Sequence, residues 1–254
     1  MDTEAVVESI WRHTLQRRYF PAEWKGRLTI EQAYRVQLGI LDRWVAQGER
    51  LAGWKVGLTA PVIQQQFGMH EPVMGFLLES GHRDSGAVFE HGQLIEPGFE
   101  NELCLTVGTV LRGPDVTRAQ ARAAISAVQP AFEIIEGRGD FRGDAALALT
   151  DNAQQKAFVT GPASPLPASW EPARTTVEVL INDERVDHAV GSEETGHPVG
   201  AVAWLANKLA EFGRSLEPGH RIMSGSFTRQ YPIARGDRIE TRFTPFGAVR
   251  AAFD

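Results

Sequence analysis

The chain has 254 residues, 43% of them hydrophobic and 23% charged, with a formal net charge of -6. That length holds one large domain, or one domain with a helical appendage, and the composition is that of a soluble globular protein. The acidic balance gives no footing for nucleic acid or an anionic membrane, no apolar run approaches the roughly 20 residues that span a bilayer, and a single cysteine, Cys104, excludes internal disulfides and Cys-rich zinc sites.

The N-terminal Met1-Asp2-Thr3-Glu4 is acidic and lacks the basic region and apolar core of a signal peptide, so a cytoplasmic setting is expected. Residues 4–19 place Val7, Ile10, Trp11, Thr14 and Leu15 at helical spacing. Residues 30–47 repeat the pattern with Ile30, Ala33, Tyr34, Gln37, Ile40, Leu41, Trp44 and Val45, and Thr29 is a candidate N-cap. These helices are expected to form a helical portion over 1–50, continuous with a β-rich portion over 51–254. Residues 51–59 read as a strand with Lys55 inside a glycine-flanked apolar run. That lysine is either an edge residue that snorkels to water or a cation set over an anionic substrate. A short helix over 61–68 begins at Pro61. His70, Glu71 and Pro72 then turn into an apolar strand ending at Leu78.

The next strand carries two acids. Alternation puts Glu100, Glu102, Cys104 and Thr106 on one face, with Asn101, Leu103, Leu105 and Val107 on the other. Adjacent carboxylates repel, and a divalent cation is the simplest compensation; a solvated strand face is the plain alternative. A helix over 118–128, capped by Asp115 or Thr117, is expected to turn Ala121, Ala124, Ile125 and Val128 inward and to stop at Pro130. The apolar strand over 131–135 then holds Glu133, which must be exposed, protonated, liganded or paired, for example with Arg138. A polar segment over 150–156 leads into a strand at 157–159, and the proline-rich residues 161–172 are the expected loose stretch. Strands over 174–181 and 185–190 flank the turn Asn182-Asp183. A helix over 199–212 ends at Gly213, and short strands follow over 221–224, 231–233, 238–243 and 248–253. Strands and helices do not alternate regularly, so the fold class expected is α+β.

The histidines are scattered with no zinc-binding pair, and the chain has no nucleophile elbow, P-loop or dinucleotide fingerprint. The ordered set of motifs is more specific: GWKVGLT at 53–59, PGFENEL at 97–103, AFEII at 131–135, TDNA at 150–153, GHPVGAVAWLANKL at 196–209 and SGSFTR at 224–229. Together they resemble the fumarylacetoacetate hydrolase superfamily, closest to its 2-keto-4-pentenoate hydratase and 4-oxalocrotonate decarboxylase branch. The resemblance implies a mixed β-roll or sandwich core with an N-terminal helical portion. It implies a Mg2+ or Mn2+ ion held by Glu100, Glu102 and Glu133, Lys55 in the active site, and a homo-oligomer that is a dimer or a ring of dimers. It also implies a small-molecule 2-oxo acid substrate from aromatic hydrocarbon catabolism, and a pathway decarboxylase or hydratase as partner.

Two stretches depart from the hydratase pattern. Gln154, Gln155 and Lys156 stand where many hydratases have small residues, and Val73 stands where many carry an acid. The reaction implied is ketonisation of a 2-hydroxy-2,4-dienoate with a proton moved to C5, then addition of water at C4 to give a 4-hydroxy-2-oxo acid. In that scheme Lys55 favours the enolate or holds the substrate carboxylate, Asp151, Asn152, Lys156, Ser226 and Thr228 contact substrate, and the candidates for activating the water are His70, Glu71 and a metal-bound water. Decarboxylation of a 4-oxalocrotonate-type acid is the close alternative. Acylpyruvate hydrolysis would need a His–Glu pair that has no placement in this chain, and a non-catalytic partner subunit is the reading from another class.

Overall fold

In the computed structural model, which describes residues 2–192 and 196–254, the N-terminal apolar stripes fold as helices α1 (Thr3–Leu15) and α2 (Ile30–Ala46). Met1, which opens the acidic tetrapeptide, lies outside the described residues. Thr29 caps α2 reciprocally: Gln32 N–H donates to its hydroxyl at 3.2 Å, and Thr29 N–H donates to the Gln32 side chain at 2.9 Å. Trp11 and Trp44 join the two helices edge to face, 4.8 Å between centroids.

The remaining elements follow as β1 (Leu51–Gly57), α3 (Pro61–Gln66), β2 (Val73–Leu78), β3 (His82–Asp84), β4 (Ala87–Phe89), β5 (Pro97–Val107), α4 (Arg118–Ala124) and β6 (Ile125–Glu136). The second half adds α5 (Ala145–Thr150), β7 (Gln155–Thr160), β8 (Thr176–Ile181), β9 (Glu184–Val190), α6 (Pro198–Ala210), β10 (Arg221–Met223), β11 (Tyr231–Pro232), β12 (Arg238–Thr244) and β13 (Gly247–Phe253). A large sheet runs β2-β1-β10-β5-β6-β7-β3, with β11 added onto β5; a second sheet runs β4-β13-β12-β8-β9. Most pairs are antiparallel, but β1 with β10, β3 with β7 and β4 with β13 are parallel. This mixed α+β architecture is the one the sequence predicts. One buried cluster runs from Val6 of α1 to Phe253 of β13. On the other face of the large sheet lies a small second cluster of Ala52, Leu77, Cys104, Ala131, Phe158 and Met223. Among the described residues no helix is long and apolar enough to cross a membrane.

Three expectations change. The helix expected over 118–128 ends at Ala124; Ile125 and Val128 belong to β6, and Pro130 lies inside that strand rather than stopping a helix. Pro130 is tolerated because its missing N–H faces away from β5. Its carbonyl, on the same side, accepts from Gly161 N–H at 2.7 Å, just past the last paired residue of β7. A helix absent from the sequence reading, α5, runs up to the polar segment before β7 and is capped by Asp144, whose carboxylate accepts from Leu147 N–H at 2.9 Å. The proline-rich residues 161–172 are docked, not loose: Ser164 pairs with Val128, Arg122 donates to the carbonyls of Pro167 and Ala168, and buried Trp170 donates to Thr175 Oγ1.

Candidate metal and active site

The β5–β6 register sets Glu100 directly opposite Glu133, and alternation brings Glu102 to the same face. One oxygen from each of the three carboxylates lies within 4.8 Å of the others. Glu102 and Glu133 are fully buried, and Glu100 is partly exposed. Glu102 Oε2 accepts from Gly225 N–H at 2.7 Å, but Glu102 Oε1 and both oxygens of Glu133 are shielded from water with no hydrogen-bond partner. Burial pushes the Glu133 carboxyl up to about 7, against the pull of Lys55. Burial, then the charges of Glu133 and Glu100, raises Glu102 well above the usual carboxylate range, and burial raises Glu100 as well. Two buried acids and a partly exposed one, converging with three oxygens of Glu102 and Glu133 left without hydrogen-bond partners, form a donor set that fits a hard divalent cation.

Lys55 sits beside the triad, opposite Gly75 of β2 and Met223 of β10. Its Nζ makes a 3.4 Å ion-pair contact with Glu133 Oε1 and donates to the Ala153 carbonyl at 3.2 Å; the side chain is buried. That carbonyl is aimed by an unusual turn. Asn152, Ala153 and Gln154 all have positive φ, at 54°, 47° and 64°. Asparagine tolerates this region, whereas alanine and glutamine pay for it, so the surrounding contacts must hold the turn. The Asn152 amide does so by docking on the edge strand β2, accepting from Phe76 N–H at 2.7 Å and donating to the Phe76 carbonyl at 2.8 Å. Gln154 donates to the Gly139 carbonyl at 2.8 Å. Gly75 keeps Lys55 and Asn152 close: a Cβ there would lie 2.9 Å from Asn152 Oδ1 and 3.1 Å from Lys55 Cγ.

The pairing of Glu133 with Arg138, one of the options the sequence left open, does not occur. Arg138 instead bonds Glu136 at 2.9 Å and Asp151 at 2.7 Å, and Glu133 faces Lys55. The parity of the strand explains this, since Arg138 lies beyond the end of β6 on the opposite side. Burial pushes Asp151 up to about 6 despite that arginine. Ser226, one residue from the Gly225 N–H that binds Glu102, has a shielded hydroxyl with no partner. Thr228 accepts from Asn101 Nδ2 at 2.7 Å and donates to the Arg229 carbonyl. Glu71 accepts from Lys208 Nζ at 2.8 Å, while His70 and Lys156 are exposed. The structure thus gathers Glu100, Glu102, Glu133, Lys55 and Asn152. It places Ser226 beside the loop that binds Glu102, and it gives Glu71, Asp151 and Thr228 other contacts. Gly75, the Ala153 carbonyl and the Gly225 N–H escaped the sequence reading because they act through backbone, which no side-chain pattern signals.

The fumarylacetoacetate (FAA) hydrolase C-terminal family profile matches residues 69–254. The chain is 35% identical over 229 residues to 2-hydroxyhexa-2,4-dienoate hydratase of Comamonas testosteroni, covering 89% of this chain and 87% of that one. It is 34% identical over 227 residues to 4-oxalocrotonate decarboxylase of Pseudomonas sp. strain CF600, covering 89% and 86%. Its structure superposes on 4-oxalocrotonate decarboxylase from Pseudomonas putida G7, complexed with magnesium and adipate, with a TM-score of 0.92 at 32% identity, over 99% of this chain and 97% of that one.

Proposed function

The chain belongs to the fumarylacetoacetate hydrolase family, and from that premise we propose that it is a lyase that hydrates 2-hydroxypenta-2,4-dienoate-type substrates to 4-hydroxy-2-oxo acids. The observation that carries this reading is the convergence of three carboxylates within 4.8 Å beside a buried lysine. Glu100, Glu102 and Glu133 would hold Mg2+ or Mn2+, the class of ion found with the decarboxylase of similar structure. When bound, the cation supplies Lewis acidity to the 2-oxo group of the substrate and positive charge against the buried acids.

The chain's own groups do the rest. The Lys55 ammonium, aimed by the Ala153 carbonyl, binds the substrate carboxylate or the enol oxygen and meets the negative charge that grows there during ketonisation. The unpartnered Ser226 hydroxyl donates to the substrate carboxylate, and Asn152 holds the turn that orients Lys55. Asp151, Thr228 and Lys156 stand apart from this region: Asp151 and Lys156 line a cavity on the other sheet face, and Thr228 accepts from Asn101, which also faces that side. Apolar Cys104, Ala131, Phe158 and Met223 line the triad's face of the sheet and limit water. The enol O–H gives up its proton as C5 gains one; water then forms a C4–O bond, with one of its protons delivered to C3. His70 and Glu71 are separate candidates for activating the water, with no hydrogen bond between them to make a pair. For Glu71 this means leaving Lys208, and an unchanged rate in Glu71→Gln removes it from the mechanism. A homo-oligomer, a pathway decarboxylase or hydratase partner, a cytoplasmic setting in aromatic hydrocarbon catabolism, and joint folding of 1–50 with 51–254 belong to the same proposal.

One observation favours decarboxylation as the second reading. Val73 is buried beside Lys55: a Cβ on Gly57 would lie 3.3 Å from Val73 Cγ2 and 3.7 Å from Lys55 Nζ. An apolar wall at that point offers no proton handler for water, and it suits the loss of a carboxylate as carbon dioxide with its electrons passed to the 2-oxo system. Purified protein with Mg2+ is expected to bleach the ultraviolet absorbance of a 2-hydroxydienoate, and Glu102→Gln to abolish that while keeping the fold. Full activity in Glu102→Gln sinks the triad's role, and carbon dioxide release from 4-oxalocrotonate without hydration selects the second reading.

A further inference from the structure

A cavity of about 410 Å³ lies away from the acidic triad. It lies on the opposite face of the large sheet: its wall includes Phe76 and Leu78 of β2, whereas alternation turns Gly75 and Leu77 toward Lys55 and the triad. Ile40 and Trp44 of α2 close its apolar side. Four cations line it, Arg17, Arg83, Arg138 and Lys156, of which Arg138 is already paired with Glu136 and Asp151. Arg17 and Arg83 spend one guanidinium nitrogen each on carbonyls, of Gln93 and of Ser80 and His82, and among the described residues the Lys156 side chain makes no ion pair or hydrogen bond. The acids of the wall are mostly committed, Asp151 to Arg138 and Glu90 to Gln93, leaving Glu49. Gln155, also in the wall, has its Nε2 shielded from water with no acceptor. A buried amide donor without an acceptor is uncommon in a folded protein, and here it lies behind the cavity wall, out of contact with the open space.

We propose that this cavity binds a small organic carboxylate, its anionic end held by Arg17, Arg83 and Lys156 and its apolar body lying against Trp44 and Phe76. The volume fits a body of roughly six to eight carbons. The site is separate from the triad and is scored by binding alone, so its fate does not depend on which reaction the triad performs. It touches that chemistry at one place, because Asp151 and Asn152 of the turn behind Lys55 also form part of its wall.

The test is titration calorimetry of the Mg2+-loaded protein with benzoate, in the presence of saturating oxalate to occupy the triad. Benzoate is expected to bind under oxalate, to bind equally well to Glu102→Gln, and to bind at least roughly tenfold more weakly to the Arg17→Ala/Arg83→Ala double variant. Both arginines are exposed, so that variant keeps its fold, which its melting curve checks. Benzyl alcohol, of the same shape without the charge, is expected not to bind. Benzoate binding that vanishes under oxalate or in Glu102→Gln overturns the proposal, as do equal binding by the double variant, equal binding of benzyl alcohol, and absence of binding.

Discussion

Lys55 and Glu133 sit 3.4 Å apart, yet each side chain is buried, and their mutual attraction only partly offsets the cost of removing both from water. The Glu133 carboxyl at about 7 expresses that balance: without a cation the acid keeps its proton through mildly acidic pH. A proton and a divalent cation compete for the same oxygens, so Mg2+ affinity is expected to rise as pH increases through about 7, with protons released on binding. Calorimetry in buffers of different ionisation enthalpy checks both. The stability of the metal-free protein runs the other way. The folded pKa is raised above the unfolded value, so this group's contribution is complete below the unfolded pKa and is lost as pH climbs through about 7. Urea midpoints of EDTA-treated protein should therefore fall between pH 5.5 and pH 8, and a midpoint that rises would refute the assignment. Gly75 gives a second prediction at this scale. A methyl group there would press Asn152 Oδ1 and Lys55 Cγ apart, so Gly75→Ala is expected to lose roughly 1–3 kcal/mol of stability and about a hundredfold in kcat, because Lys55 is displaced by a fraction of an ångström. A folded Gly75→Ala with full kcat would show that the Lys55 position is not critical. The acids of the triad were readable in advance, since period-two alternation fixes the face of Glu100 and Glu102. The turn that aims the Ala153 carbonyl was not, because three successive left-handed residues contradict every local preference except that of asparagine.

Local rules locate the elements whose ends are marked by side chains. Thr29 and Gln32 signal the start of α2, and the structure closes their capping box as the spacing requires. Thr29→Ala is therefore expected to cost about 1 kcal/mol, read as a lower urea midpoint with unchanged slope. The boundary between α4 and β6 shows where such rules stop. Ala121, Ala124, Ile125 and Val128 fit a helical stripe, and Pro130 looks like its stop signal. The competing force is long-range: Ile125 and the residues after it gain a full antiparallel ladder with β5, from Val107 opposite Ile125 to Pro97 opposite Glu136. A ladder of that length outweighs a helical preference worth a few tenths of a kcal/mol per residue. Close packing between elements decides Gly53 in the same way. It has φ near +150°, and a Cβ there would lie 1.9 Å from the Arg221 carbonyl oxygen, across the parallel pairing of β1 with β10. Gly53→Ala is expected to force the two strands apart, at a cost of more than about 3 kcal/mol, and to lower the yield of folded protein.

The whole molecule is arranged so that its acidic centre and its framework are the same strands. β5 and β6 form the middle of the large sheet, β10 and β1 continue it on one side and β7 on the other, and the second sheet packs against β6 through β12 and β13. None of this order follows from local sequence, because β1 pairs in parallel with β10 about 170 residues away, and only closure of the sheet brings Lys55 beside Glu133. The consequence is thermodynamic. The two buried acids of the triad are only partly compensated charges, or trapped protons, in the most central strands, so a cation that binds only the folded state stabilises the entire chain rather than a loop. At a Mg2+ concentration about a hundred times its dissociation constant, that linkage supplies about 2.7 kcal/mol. For a chain of this size the gain corresponds to a rise in melting temperature of roughly 5–10 °C, reversed by EDTA. Glu102→Gln should melt at one temperature with or without Mg2+, because it removes one ligand and much of the repulsion together. If Mg2+ raises the melting temperature of Glu102→Gln as much as that of the native chain, the cation is binding elsewhere, and the triad is a buried acid cluster that holds its protons instead of a metal.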